Sequence, residues 1–231
     1  MKVILTRITE NPILAIEEAA SNCYDSKPSS DGKIMRHCIN SGHTSVTEFC
    51  NFTFHIEGVS RALLAQITRH RHSSFSVRSQ RYITEDKFEY VTPKSIANNP
   101  NFKKKYEKHM RNVQDYYNAM IELGVPTEDA RMVLPNACCT EFEVSMNFRA
   151  LMNFMHERLC ACSQWEIRQL AKLMRDAVVA AEPAFAPYLV PKCESGKIRY
   201  CSESPKRSCG RQPLAKDILA LMYKGEFNGY N

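Results

Sequence analysis

No uninterrupted apolar stretch in these 231 residues approaches the length needed to cross a membrane. The opening Met1-Lys-Val-Ile-Leu-Thr-Arg7 has only three apolar residues in a row, too few for the apolar core of a secretory signal. Together these absences predict a soluble, cytoplasmic protein with no membrane partner. Internal repeats and low-complexity tracts are also lacking, and so is a large excess of one charge. The 31 basic and 25 acidic side chains leave a net charge of +6, which permits phosphate-bearing ligands or nucleic acid without selecting either.

Ten cysteines are present, yet the last three, Cys193, Cys201 and Cys209, are spaced eight apart and lack the close pairs typical of structural zinc sites. Cys138 and Cys139 fall on an expected strand and point to opposite faces. Cys160 and Cys162 are about 200 degrees apart if the helix around them continues. No four-ligand set emerges, so no metal is expected, and in a non-secreted chain mostly reduced, buried thiols are expected.

A hydrophobic share of 44% can build a sizeable core, and the length suits a single domain over 1–231 with a less regular, cysteine-bearing tail at 191–231. Periodicity predicts strands over 1–8, 51–56, 88–91 and 138–146. It predicts helices over 12–24 (Leu14, Ile16, Ala19, Ala20 and Cys23 inward), 33–40, 61–67, 103–123, 149–160 and 164–181, and a shorter one capped by Thr127. Ser60 is the expected cap of the 61–67 helix. The fold class expected is α+β, a single mixed domain with a central, mainly antiparallel sheet flanked by long helices.

Arg69, His70, Arg71, His72, Arg78 and Arg81 crowd into thirteen residues that also hold Ser73, Ser74, Ser76 and Ser79. Arginine forks match phosphate oxygens bidentately and hydroxyls add short bonds, so the segment is suited to an anion. Gln66, Arg69 and His70 would share one side if the preceding helix continues through them. The same composition also suits cations that close a helix C-terminus ahead of a solvated serine loop, or a nucleic-acid grip flanked by Phe75 and Tyr82. No comparable basic stripe occurs elsewhere in the chain.

Arg69-His70-Arg71, seven residues and then Ser79, continued by Gln80-Arg81-Tyr82, resembles the signature of the flavin-dependent thymidylate synthases. Three more segments agree in order. His43-Thr-Ser45-Val-Thr-Glu48 is similar to the family's upstream histidine segment, although Ser45 and Glu48 also have capping-box spacing. Asp129-Ala-Arg131-Met-Val-Leu-Pro135 resembles the segment that supplies an arginine to the nucleotide. Asn147-Phe-Arg149-Ala-Leu-Met-Asn153 through Arg158 resembles the flavin helix, with Gln164-Trp-Glu-Ile167 extending the likeness. Val77, Glu157 and Cys162 depart from the residue types expected near the flavin.

The resemblance implies binding of FAD by Ser45, Glu48, Arg69, His70, Arg71, Val77, Asn147, Arg149 and Asn153. It implies binding of deoxyuridylate by Gln66, Arg69, Ser79, Gln80, Arg81, Arg131 and Arg158, with Arg158 also catalytic, favouring ionisation at N3 of the pyrimidine. His43 is a further candidate for positioning folate or flavin. NADPH and 5,10-methylenetetrahydrofolate are the implied co-substrates, and a homotetramer with shared sites the implied assembly. No cysteine lies in a motif for attack on the uracil ring, and Ser79, among cations, has no evident base to make it a nucleophile. Arg149 and Arg158 are nine apart, so on an unbroken helix they point to opposite sides. A basic RNA-binding protein and a flavoprotein acting on another small molecule are the alternatives.

Overall fold

Phe52, Phe54 and Ile56 are buried while the alternating Thr53, His55 and Glu57 are not, so the predicted alternation becomes a strand with one core face. The computed structural model describes residues 1–24 and 26–227, with only the backbone of Tyr24; the last four residues of the tail lie outside the described residues. Its strands are β1 (Lys2–Ile8), β2 (Asn51–Ser60), β3 (Ser73–Val77) and β4 (Cys139–Asn147), in the order β1-β2-β4-β3. Its helices are α1 (Pro12–Tyr24), α2 (Lys33–Asn40), α3 (Arg61–Ile67), α4 (Lys94–Ala97), α5 (Pro100–Glu122), α6 (Thr127–Ala130), α7 (Phe148–Arg158), α8 (Trp165–Ala181) and α9 (Ala215–Tyr223). Among the described residues no helix is long and apolar enough to cross a membrane.

Cross-strand partners give the register. Thr6 meets Thr53 and Lys2 meets Glu57, while Thr53 meets Ser145 and His55 meets Glu143. One residue number rises as the other falls, so β1, β2 and β4 are antiparallel neighbours, as expected. In β2 the alternation slips at Gly58, whose φ of 66° suits glycine and where a Cβ would meet the Met1 nitrogen at 3.2 Å.

The chain forms two compact units. The first holds residues 1–2, 55–71 and 75–144; the second holds 3–54, 72–74 and 145–231. In the first, Phe88, Met110 and Cys138 form a buried cluster with Tyr90, Tyr106 and Leu134 around it. In the second, Phe148 packs tilted against Phe185 at 4.2 Å between ring centroids, and Phe52 lies 6.0 Å from Phe148. Those rings, with Ile16, Met35, Leu151 and Met174, make its core.

Several expectations shift. Residues 88–91 form only a bridge, Tyr90 to Cys138, and Cys23 is exposed. The long helix starts at Pro100 because Asn99 caps it, and Pro126, not Thr127, precedes the short α6. Ser73–Val77 is a strand because Phe75 packs on Phe142 while serines alternate outward. The tail contains α9 and a bridge from Cys201 to Leu214.

In the first unit His55 sits between two carboxylates, Nδ1 to Glu143 at 2.8 Å and Nε2 to Glu57 at 2.9 Å. Only the doubly protonated ring donates to both. The bond to Glu143 raises its pKa above the ordinary histidine value. A raised folded value means stabilisation that is complete below the unfolded pKa and is lost as pH rises through the folded one. The urea midpoint should therefore fall as pH rises past the ordinary histidine value, and His55→Gln should flatten that slope. Parallel pH profiles for the two proteins would refute this.

Candidate active site

Asn147 ends β4 and caps α7, its carboxamide oxygen accepting the Ala150 N–H at 2.9 Å. Two residues on, Arg149 donates to Glu48 at 2.6 Å, tying α7 to the 3-10 turn Thr44–Phe49. Glu48, Asn147, Arg149 and Asn153 line one cavity of about 370 Å³ together with His72. Arg149 and Asn153 also line a second cavity, of about 730 Å³, with Arg36, Lys197 and Arg199. All of this lies within the second unit.

Ser45 and His43 are exposed in the segment that carries Glu48. The capping box does not form: His43 occupies the cap position of the turn and makes no side-chain cap. Of the expected flavin residues, four therefore meet in one cavity, and Ser45 shares their supporting turn. Arg69, His70, Arg71 and Val77 belong to the first unit. The sequence placed His72 in the anion-suited segment but in neither the flavin nor the nucleotide set; the structure puts it at this cavity. Arg36 and Arg199 lie too far along the chain to have been grouped in advance.

In the first unit, α3 is capped by Ser60 Oγ, which accepts the Leu63 N–H at 3.0 Å, and it ends at Ile67. Arg69 and His70 thus fall in the turn beyond the helix, so helical spacing does not align them with Gln66. Arg81 donates Nε and Nη2 to one oxygen of Glu128, at 2.9 and 2.8 Å. Arg131 donates to the Glu128 carbonyl at 3.0 Å, so two expected nucleotide arginines gather on one residue. Ser79 Oγ accepts the Arg81 N–H at 3.2 Å, and Gln80 reaches the Cys138 sulfur at 3.6 Å.

Arg61, half-buried, donates to the Arg78 carbonyl at 2.9 Å, and burial lowers its pKa. Arg78 in turn lies 3.6 Å from Glu85 and 3.3 Å from Glu141. Cys138 beside them is pushed up to about 12, first by burial, as is Cys50 in the second unit. Both thiols stay protonated at neutral pH and are poor nucleophiles.

Arg158 is the last residue of α7, its side chain 22% exposed and its guanidinium 3.9 Å from Glu157. It lines neither of the two cavities that Arg149 lines, as the winding of the helix requires.

A profile of the family described as "Thymidylate synthase complementing protein" matches residues 4–184. A flavin-dependent thymidylate synthase of Nitratidesulfovibrio vulgaris is 41% identical over 195 residues, covering 81% of this chain and 79% of that protein. The chain belongs to the flavin-dependent thymidylate synthases. Another member, from Geobacter sulfurreducens, is 37% identical and covers 96% of this chain and 99% of its own. The fold agrees as well: a Helicobacter pylori flavin-dependent thymidylate synthase, complexed with FAD and dUMP, superposes with a TM-score of 0.66 at 26% identity. That match covers 84% of this chain and 99% of the other.

Proposed function

We propose that this synthase methylates deoxyuridylate to thymidylate, taking the carbon from 5,10-methylenetetrahydrofolate and its reducing electrons from NADPH through bound FAD. The observation that carries this reading is the meeting of Glu48, Asn147, Arg149 and Asn153, from two distant motifs, at one cavity in a chain of this family. Their chemistry fits a flavin. A guanidinium, an imidazole and carboxamides supply the donors that phosphates and a carbonyl-bearing ring edge accept. When bound, the flavin supplies hydride transfer to the transferred carbon.

The chain's own residues bind and orient. The Asn147 oxygen is committed to capping α7, so this residue offers a ligand its NH₂ group. Glu48 holds the Arg149 fork in place before any ligand arrives. Arg69, His70, Arg71 and Val77 complete the flavin set, and Ser45 supports it. Arg81 and Arg131, gathered on Glu128, receive the nucleotide phosphate with Gln66, Ser79 and Gln80. The Ser79 hydroxyl accepts a turn amide, which suits binding better than attack. Arg158 contributes a permanent charge that favours the pyrimidine anion.

Because Arg149 and Arg158 face different ways, α7 serves two sites, in keeping with a homotetramer whose sites draw on several subunits. Residues 1–231 act as one synthase domain in the cytoplasm; each of the four strands contributes residues to both compact units. Tritium release from C5-labelled deoxyuridylate, dependent on methylenetetrahydrofolate and accompanied by a flavin spectrum that NADPH bleaches, is the expected result. A flavin-loaded protein that releases no tritium with every co-substrate present would overturn the reading.

A further inference from the structure

The matched family region stops at residue 184, and the chain continues with 36 described residues past Pro191 of which only Cys201 and Ile218 are buried. So small an apolar core does not hold a segment of this size in one arrangement. Such pieces are ordinarily stapled by disulfides or a metal. Yet the tail has a definite path. A 3-10 turn covers Lys192–Glu194, Cys201 exchanges backbone bonds with Pro213 and Ala215 at 2.7 and 3.1 Å, and Arg207 and Ser208 close a turn on Ser204.

What the tail packs around is sulfur. Five of the ten cysteines, Cys160, Cys162, Cys193, Cys201 and Cys209, line one cavity of about 300 Å³ in the second unit. Helical spacing would have sent Cys160 and Cys162 apart, but α7 ends at Arg158 and both fall in the turn that follows. That turn is pinned: Ser163 N–H donates to Cys160 O at 3.0 Å and its hydroxyl to Glu157 O at 2.7 Å, while Arg168 donates to Ala161 O at 2.7 Å. The sulfurs of Cys160 and Cys162 and a carboxylate oxygen of Glu203 consequently lie within 4.8 Å of one another.

We propose that Cys160, Cys162, Cys193 and Glu203 hold a structural zinc ion that fastens the tail to the end of α7. A tetrahedral zinc with bonds of about 2.3 Å to sulfur and 2.0–2.2 Å to oxygen sets ligand atoms about 3.5–3.8 Å apart. Closing the observed triad takes a movement of about 1 Å. Cys193, on the tail's first turn, lines the same cavity and supplies the fourth ligand. Three thiolates and a carboxylate leave the site with a net charge of about −2. Arg207, 3.4 Å from Glu203, and Arg211, which lines the cavity, offset it. Binding displaces thiol protons to solvent and changes no oxidation state. Because Arg158 lies two residues before Cys160, the ion would also anchor the helix end that carries it.

The test is metal content of the full chain, purified reduced and without chelator; it is independent of any nucleotide chemistry. About one zinc per chain is expected, with little in Cys162→Ser or Cys193→Ser and a full complement in Cys23→Ser, which alters an exposed cysteine outside the cavity. A chelator should lower the melting temperature and zinc should restore it. If the serine variants fail to fold, cobalt substitution of the unaltered chain gives the answer: intense thiolate-to-cobalt charge-transfer absorption supports the site. Zinc content below about a tenth per chain after zinc addition to reduced protein, an iron–sulfur chromophore, a Cys160 disulfide, or a cobalt spectrum without thiolate bands would each overturn it.

Discussion

Arg158→Ala is expected to lower turnover by about 10²–10³-fold while flavin per chain stays near its original level. The expectation rests on position as much as on charge. Arg158 ends α7, largely shielded from solvent, and lines neither of the cavities that take in Arg149. In the proposed role, a fixed guanidinium there would stabilise a developing pyrimidine anion without reorganising, and alanine would remove all of that stabilisation. Arg158→Lys keeps the charge but loses the fork, so part of the rate should return. Tritium release measures turnover, and visible absorbance measures flavin. Near-normal turnover in the alanine variant would refute the catalytic role. Loss of flavin in step with turnover would make Arg158 a residue that holds the fold.

The largest loss of stability should follow Phe148→Ala, at about 3–5 kcal/mol in the urea unfolding free energy. Phe148 is fully buried, with Phe185 at 4.2 Å, Phe52 at 6.0 Å and Tyr188 at 6.2 Å between ring centroids. Truncation removes its transfer energy and leaves a cavity that three flanking rings cannot readily fill. The same residue is the first of α7, between the Asn147 cap and Arg149, and its N–H donates to Cys50 O at 2.8 Å. Flavin content should therefore drop along with stability, whereas Phe148→Leu should lose less of both. A variant with unchanged midpoint would mean that the aromatic cluster adds little to the fold.

Local signals were legible wherever one interaction decides the local structure. The 12–24 and 33–40 helices, the Ser60 cap and the β2 alternation all follow from side-chain period or a single hydrogen bond, and each is found where expected. Signals failed where packing outweighs period. Ser73–Val77 is a strand only because Phe75 finds Phe142, and Cys160 and Cys162 converge only because α7 stops at Arg158.

The candidate site divides along the same line. The sequence by itself determined which residues belong to the family's motifs and that Arg149 and Arg158 diverge, since motif spacing and helical winding are properties of the chain alone. Only the tertiary structure decided that Arg149 is held by Glu48, that Arg81 and Arg131 share Glu128, and that His72 joins the first cavity. The gathering of five cysteines around one cavity is of the same kind. Except for the Arg131–Glu128 bond, which spans three residues, these are contacts between residues far apart along the chain, and packing, not local period, brings such residues together.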